Sequence, residues 1–540
     1  LGEVLCIEFL AQRLAALFSV QSLKKGIGLW WCLPLLVPSL WLWLNIPPLW
    51  RDSDGFNQVT AEIGGLTLLL WPPLYCLLAR VPLALGAWWE RVPFSFDRPT
   101  LTDSGVGLLL LAQHILLIAA FAWFIAVIAR RPLTRVILSI ALAGLASFFV
   151  FAQTVGTESL SNTMQFAVMA GAVVLLKDPK LRIWPWLGFS LLLALAIGSR
   201  HVNAVLAALL PTTLILRGLW EGLRARPGSR VGVMRSAAIR VGIAVLAGVF
   251  ALVMVNLTVR SLCSITGTTY HSKFGFIFQW RTEFIETKTP KDQEQFFSAL
   301  KRSMKDPLAI RATEAYASEL RKGYRPGPEF LSTFVKQTLK EDKRFKRKDR
   351  LALAADTLNH IARTILTTAP PGYADAVLGD VSRNFAVSPD AITGGAASST
   401  QFFVNTLTRP EFEQLRKLVT FRDGYYRKAI TDFESHPYLT AGRGFSLIAA
   451  TGIAIGLCFL SLAIPRLESW QRFYPPALLL VGWLLIFLNC CSTFFMPRFT
   501  LPLLGTTVAA AFIALAGMLD WLFVYGIVKR TGVPQRAFEA

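Results

Sequence analysis

Ten apolar segments, at about 27–48, 104–128, 134–153, 160–176, 183–199, 202–219, 238–257, 444–464, 475–495 and 500–527, dominate this chain of 540 residues. Each offers close to the roughly 20 residues that a helix needs to cross a bilayer. With 54% hydrophobic and 16% charged residues, the chain carries more apolar surface than one soluble core can bury. A bilayer interior leaves backbone groups no water to bond, so such segments read as helices. The expectation is an all-α polytopic membrane protein with about ten transmembrane helices.

The formal net charge of +21 would point to nucleic acid in a soluble protein, but here the basic residues follow the membrane rule that Lys and Arg collect on the cytoplasmic side. With Lys24-Lys25 inside, the inner loops hold Arg130, Arg131 and Arg135, then Lys177, Lys180 and Arg182, then Arg217 through Arg240, then Arg466 and Arg472, and finally Lys529, Arg530 and Arg536. The early outer connections carry Asp52, Asp54, Glu62, Glu90, Asp97, Asp103 and Glu158. Both termini are expected to be cytoplasmic, in a cell (plasma or inner) membrane, with membrane lipids and no nucleic acid as partners. Residues 1–26 read as an amphipathic segment at the cytoplasmic interface, and the first span as retained, because it outruns a signal-peptide core. Seven cysteines show no CxxC pair or zinc spacing.

Two long polar segments break this pattern, both on the outer side. Residues 49–103 contain semi-apolar pieces at 56–70 and 74–89, interrupted by Pro72, Pro73, Arg80 and Pro82; they read as helices along the membrane surface. Residues 258–443 are domain-sized and carry 29 Lys and Arg against 20 Asp and Glu. Helical periodicity at 291–304, 307–322, 328–340 and 346–366, with breaks at Asp306-Pro307, Arg325-Pro326-Gly327 and Pro370-Pro371-Gly372, predicts an inserted, mainly helical extracytoplasmic domain. The expected organisation is therefore 1–26, a transmembrane catalytic core at 27–257, the inserted domain at 258–443, C-terminal transmembrane helices at 444–528 and a tail at 529–540. The run Lys343 to Arg350 reads as a solvated helix face.

Charge beside a membrane boundary is expensive to keep idle. The first outer loop reads Arg51-Asp-Ser-Asp-Gly-Phe-Asn, with Asp52 and Asp54 just beyond the first span. A carboxylate there can take a proton from a hydroxyl or amine; turn or capping chemistry is the plainer alternative. Glu158 opens the fourth span. Arg200, followed by His201, and Arg498 lie at the outer ends of two spans, against the charge rule, and a guanidinium suits a phosphate. Snorkelling is the plainer reading of both arginines. His114 reads as a packing or helix-to-helix hydrogen-bonding residue.

Three stretches share one resemblance. DGFNQVTAEIGGLTLLLWPPLYCLLA (54–79), TVGTESLSNTMQFAVMAGAVVLL (154–176) and FFMPRFTLPLL (494–504) together resemble polyprenyl-phosphate-sugar-dependent glycosyltransferases of the GT-C superfamily, which includes protein mannosyltransferases and aminoarabinose transferases. Asp54, the Pro72-Pro73-Leu74-Tyr75 turn, Glu158 and Arg498 hold that family's positions, with Phe499 replacing the commoner Tyr. The departure is the large insertion at 258–443, where many relatives carry a domain after the last span. The resemblance implies transfer of a sugar from a polyprenyl-phosphate donor to an acceptor glycan, lipid or protein at the extracytoplasmic face, with inversion. Asp54 would be the general base, Asp52 would orient the acceptor or substitute as base, and Glu158 would support the same pocket or help hold a divalent cation if one is used. Arg498, Arg200, His201 and Tyr75 would bind substrate. A transporter or flippase of a lipid-linked saccharide is the alternative from another class, and a membrane anchor presenting 258–443 ranks last.

Overall fold

The computed structural model describes residues 29–50, 52–63, 73–178, 181–267, 270, 272, 274–327, 329–343, 347–368, 370–389, 391–394, 410–418, 436–440, 446–464, 466–492 and 497–531. The segment expected at 1–26, the end of the tail and part of the basic run at 343–350 lie outside these residues. Among the described residues, six helices are long and apolar enough to cross a membrane, or seven if one bent pair counts as a single span.

The chain enters with α1 (Leu33–Asn45), a two-residue strand β1 (Leu49–Trp50) and α2 (Asp52–Thr60). Then come α3 (Pro73–Trp89), α4 (Asp103–Ile128), α5 (Pro132–Ala143) and α6 (Ala146–Ala152). A second short strand, β2 (Thr154–Val155), precedes α7 (Thr157–Lys177) and α8 (Ile183–Ser199). A 3-10 stretch at His201–Ala208 leads into α9 (Leu209–Arg224), which is followed by α10 (Pro227–Thr266). The inserted segment supplies α11 (Pro290–Ser303), α12 (Pro307–Arg321), α13 (Phe330–Glu341), α14 (Arg347–Thr368) and α15 (Pro370–Ala386). The chain closes with α16 (Leu447–Ala463), α17 (Ser469–Ser492) and α18 (Leu501–Thr531).

Several expected boundaries shift, each for a physical reason. The single span expected at 134–153 is the pair α5 and α6, bent by 68°, with Gly144-Leu145 between them. The expected spans at 27–48 and 444–464 are described as helices of 13 and 17 residues. The helix expected at 238–257 runs from Pro227 to Thr266, because the basic stretch before it is itself helical and the left-handed Gly267 (φ 64°) ends it. In the first outer loop neither Arg80 nor Pro82 interrupts α3: Arg80 is fully buried and donates to the carbonyls of Cys76, Ala61 and Phe96, so its charge is satisfied by backbone.

The fold turns on close contact around α7. Phe121 and Phe124 of α4, Phe148 and Phe149 of α6 and Phe166 of α7 form an edge-to-face cluster, with ring centroids 4.7 Å apart for Phe121 and Phe166. Backbones of α3 and α4 meet where a Cβ on Gly86 would stand 2.1 Å from the Gly105 Cα. At the other end of the bundle, Asp520 of α18 accepts from the Arg130 and Arg131 amides and the Thr134 hydroxyl. That carboxylate caps α5. His114 bonds Ser39 and Gln153, tying α4 to α1 and to the residue before β2.

Helices α11 to α14 enclose a core of their own, with Leu300, Ala312, Tyr316, Val335, Leu358 and Ile361 all buried. Helix α15 instead packs on the membrane bundle. Arg281 and Asp380 form a buried ion pair, and Arg281 also donates to the Cys490 carbonyl near the end of α17. The Tyr373 hydroxyl donates to the Cys491 carbonyl beside it. Two carbonyls that the end of α17 leaves unpaired are thus satisfied from the inserted segment.

Candidate active site at the strand-paired end of the bundle

Strands β1 and β2 pair in parallel, Leu49 opposite Thr154 and Trp50 opposite Val155. Each is followed two residues later by a helix: α2 begins at Asp52 and α7 at Thr157. The parallel pairing therefore sets two helix N-termini side by side, Asp52 and Asp54 in the first turn of one and Glu158 in the first turn of the other. Helix N-termini favour negative charge, their own carboxylates included.

Side chains lock the turn between β2 and α7. The Tyr75 hydroxyl accepts from the Gly156 amide at 2.9 Å and donates to Gln113 Oε1 at 2.9 Å. Gln113 Nε2 donates to the carbonyls of Ala152 and Thr154. Gln58 Oε1 accepts from the Thr157 amide at 3.0 Å, joining α2 to the start of α7. Tyr75, read from the resemblance as a substrate-binding residue, is 2% exposed and its hydroxyl is spent on this turn. Asp54 is half-buried, and His201 is exposed on the residue after Arg200.

Glu158 is 1% exposed, and the guanidinium of Arg200 stands 3.8 Å from its carboxylate. Arg200 also lies over the ring of Phe499, 5.5 Å from its centroid, and Arg498 lies 5.6 Å from the same centroid. Arg498 itself is buried, in the 3-10 turn Pro497–Thr500 that opens α18. Three residues far apart in sequence thus form one continuous group: Glu158, Arg200 and, across the Phe499 ring, Arg498. Two guanidiniums about one aromatic ring each gain cation–π attraction and repel each other, a repulsion that a bound anion relieves.

Polar groups continue inward along α7. Asn203 Nδ2 donates to Ser161 Oγ at 3.0 Å and to the Ala196 carbonyl at 2.9 Å. Gln165 Nε2 donates to the Pro502 carbonyl at 2.8 Å, fastening α7 to α18 behind Arg498. Asn162 Nδ2, Gln165 Oε1 and Asn203 Oδ1 are buried with no hydrogen-bond partner among the described residues. The inserted segment reaches the same place: Thr500 donates to Asn384 Oδ1 at 2.9 Å, and Asn384 donates to the Asp380 carbonyl. Gln58, Gln113 and Asn203 had no place in the sequence reading of the site, and Phe499 entered it only as the replacement of a commoner Tyr. Lone amides inside apolar segments were the available signal for Gln113 and Asn203.

Among the described residues, no three His, Cys, Asp or Glu side chains come together as a metal site.

No protein-family model matches the chain, and no curated protein matches it. Among solved structures, the archaeal oligosaccharyltransferase AglB from Archaeoglobus fulgidus, in complex with an inhibitory peptide and a dolichol-phosphate, aligns over 94% of this chain and 53% of that chain. The TM-score is 0.41 and the identity 11%. The present chain spans about half the length of that protein, and a likeness of this degree assigns neither fold nor activity. Fold and site define an α-helical protein with membrane-spanning helices and a buried acid–arginine centre at one end.

Proposed function

We propose that this protein is an integral membrane glycosyltransferase of GT-C type that moves a sugar from a polyprenyl-phosphate carrier to an acceptor at the extracytoplasmic face. The observation that carries the reading is the grouping of Glu158, Arg200, Phe499 and Arg498 beside the paired starts of α2 and α7. It supplies acids and phosphate-binding cations at one end of one bundle.

In the proposed reaction the Asp54 carboxylate takes the proton of the acceptor hydroxyl or amine. The acceptor atom bonds to the anomeric carbon as the bond from that carbon to the phosphate oxygen breaks. The polyprenyl phosphate leaves with the electron pair, and Arg498 and Arg200 stabilise the charge it gains. Attack opposite the leaving phosphate inverts the anomeric centre. Glu158 holds the Arg200 guanidinium in place, and Tyr75 holds the turn that carries Glu158. Asp52 orients the acceptor, and exposed His201 meets the donor at the mouth. Asn162, Gln165 and Asn203 keep polar atoms available to hydroxyl groups deeper in the bundle.

The test is mass-spectrometric profiling of glycolipids and glycans from cells with the wild-type protein, the Asp54→Asn variant or no protein. One product lost equally in the variant and the null supports the reading and identifies the acceptor. Near-normal product with Asp54→Asn removes Asp54 as base. A lipid-linked saccharide that accumulates only in the null marks a transporter instead.

A further inference from the structure

A second feature lies at the far end of the bundle from Glu158. Helix α9 starts just beyond the Arg200 turn and ends at Arg224, while α17 starts at Ser469 and ends beside the inserted segment. Between the far halves of α9, α16 and α17 runs an apolar trough of about 430 Å³, walled by residues such as Leu219, Trp220, Phe459, Phe473, Leu480 and Trp483. Its open side presents Phe459 and Leu480 outward, 68% and 45% exposed.

The trough has a polar mouth. Arg224 lies 4.1 Å from the Trp220 ring centroid, and Trp220 meets Phe473 at 6.0 Å. Arg472 precedes Phe473 in the first turns of α17, so the two arginines flank the contact between Trp220 and Phe473. From Phe473 to Trp483 the wall rises by about 15 Å at 1.5 Å per residue, half of a hydrocarbon core about 30 Å thick. An apolar groove one leaflet deep, with a Trp and two arginines at its entrance, has the layout of a lipid: tail along the groove, headgroup between the guanidiniums.

We infer that this trough is a binding site for one anionic diacyl phospholipid, its phosphate held by Arg224 and Arg472 and one acyl chain laid against Trp220 and Trp483. Charge complementarity selects this occupant: a zwitterionic headgroup brings its own cation to a mouth that already holds two. The positive-inside pattern places the mouth in the cytoplasmic leaflet. The inference rests on the chain spanning a bilayer and is independent of glycosyl transfer.

The experiment uses the full-length protein in vesicles of a phosphatidylcholine host. Tryptophan quenching by brominated phosphatidylglycerol is compared with quenching by brominated phosphatidylcholine, and a Trp220→Phe variant isolates the groove's share. The expected result is an apparent affinity for the anionic lipid several-fold higher in wild type, falling to no preference in Arg224→Ala/Arg472→Ala. Arg224→Lys/Arg472→Lys, which keeps the charge, is expected to retain part of the preference, so a fold-breaking alanine pair does not decide the matter alone. Leu480→Trp, which fills the trough and leaves both arginines, is expected to weaken binding of either lipid. Equal quenching by the two lipids in wild type, or a preference unchanged in the alanine pair, overturns the site. Native mass spectrometry of protein released from membranes adds an independent reading: a bound phospholipid mass supports the inference. Wild-type protein that carries no phospholipid, or an alanine pair that carries as much as wild type, overturns it.

Discussion

Helices α7 and α10 are both apolar enough to span a membrane, yet they occupy opposite positions in the molecule. The most apolar window of α7 is 89% buried, and that of α10 only 22%. The less apolar of the two helices is the enclosed one. In a bilayer, lipid tails are as apolar as Leu, so apolarity no longer distinguishes a core-facing side chain from a lipid-facing one. What distinguishes them is the polar content: α7 buries Thr157, Glu158, Ser161, Asn162, Thr163 and Gln165, while α10 turns Leu246, Val249 and Val253 outward. A polar side chain that a membrane helix keeps must meet another protein group, and the partners met by α7 are those of the candidate site.

The sharpest way to test this contrast is at the acid. Glu158→Gln keeps the shape of the side chain and removes its charge beside Arg200; transfer is expected to fall about 100-fold or more, read as product formed from a purified lipid-linked donor. Arg498→Ala is expected to lose about 10²–10³ in turnover, with Arg498→Lys recovering part of it because the charge survives without the fork. Full turnover in either alanine or glutamine variant would detach the buried group from the chemistry.

Smaller effects compare the two helices as structural elements. Asn203→Ala removes both hydrogen bonds that its amide makes to Ser161 and Ala196; a loss of about 1–3 kcal/mol is expected, seen as a lower thermal midpoint in detergent. Leu246→Ala, on the outward face of α10, is expected to change stability by no more than about 0.5 kcal/mol. If the α10 substitution costs as much as the one facing α7, the contrast between the helices breaks.

Much of the helical layout is legible in the sequence, because a run of apolar residues is a direct physical requirement of crossing a bilayer. The segment 104–128 lies within the helix Asp103–Ile128, and 183–199 coincides with α8. The bend between α5 and α6 was not legible: a 20-residue apolar run looks the same whether straight or broken, and only one Gly marks the break. The β1–β2 pair was not legible either, since two residues carry no periodicity, and its partners are far apart in the chain. At the site, Glu158, Arg200 and Arg498 stood out as charges at helix ends, and the first two form an ion pair. Their common neighbour Phe499 was legible only as the replacement of a commoner Tyr; its contact with both arginines was not, because a ring that bridges two cations is indistinguishable in sequence from a ring that packs. The docking of α15 through Arg281 and Asp380 was hidden for a similar reason: in a segment rich in both charges, nothing marks the one pair that becomes buried.

The order of these residues along the chain also sets a timetable for synthesis. A ribosome delivers β1, then β2, then Glu158 and Arg200, and must finish the whole inserted segment before Phe499 and Arg498 arrive. In the folded chain the acid and Arg200 face each other across 3.8 Å, and both members of that ion pair precede the inserted segment. Arg498 then joins through the Phe499 ring, as α18 enters and Gln165 takes the Pro502 carbonyl. The centre is therefore completed only when α18, made after the inserted segment, brings Phe499 and Arg498 to Glu158 and Arg200.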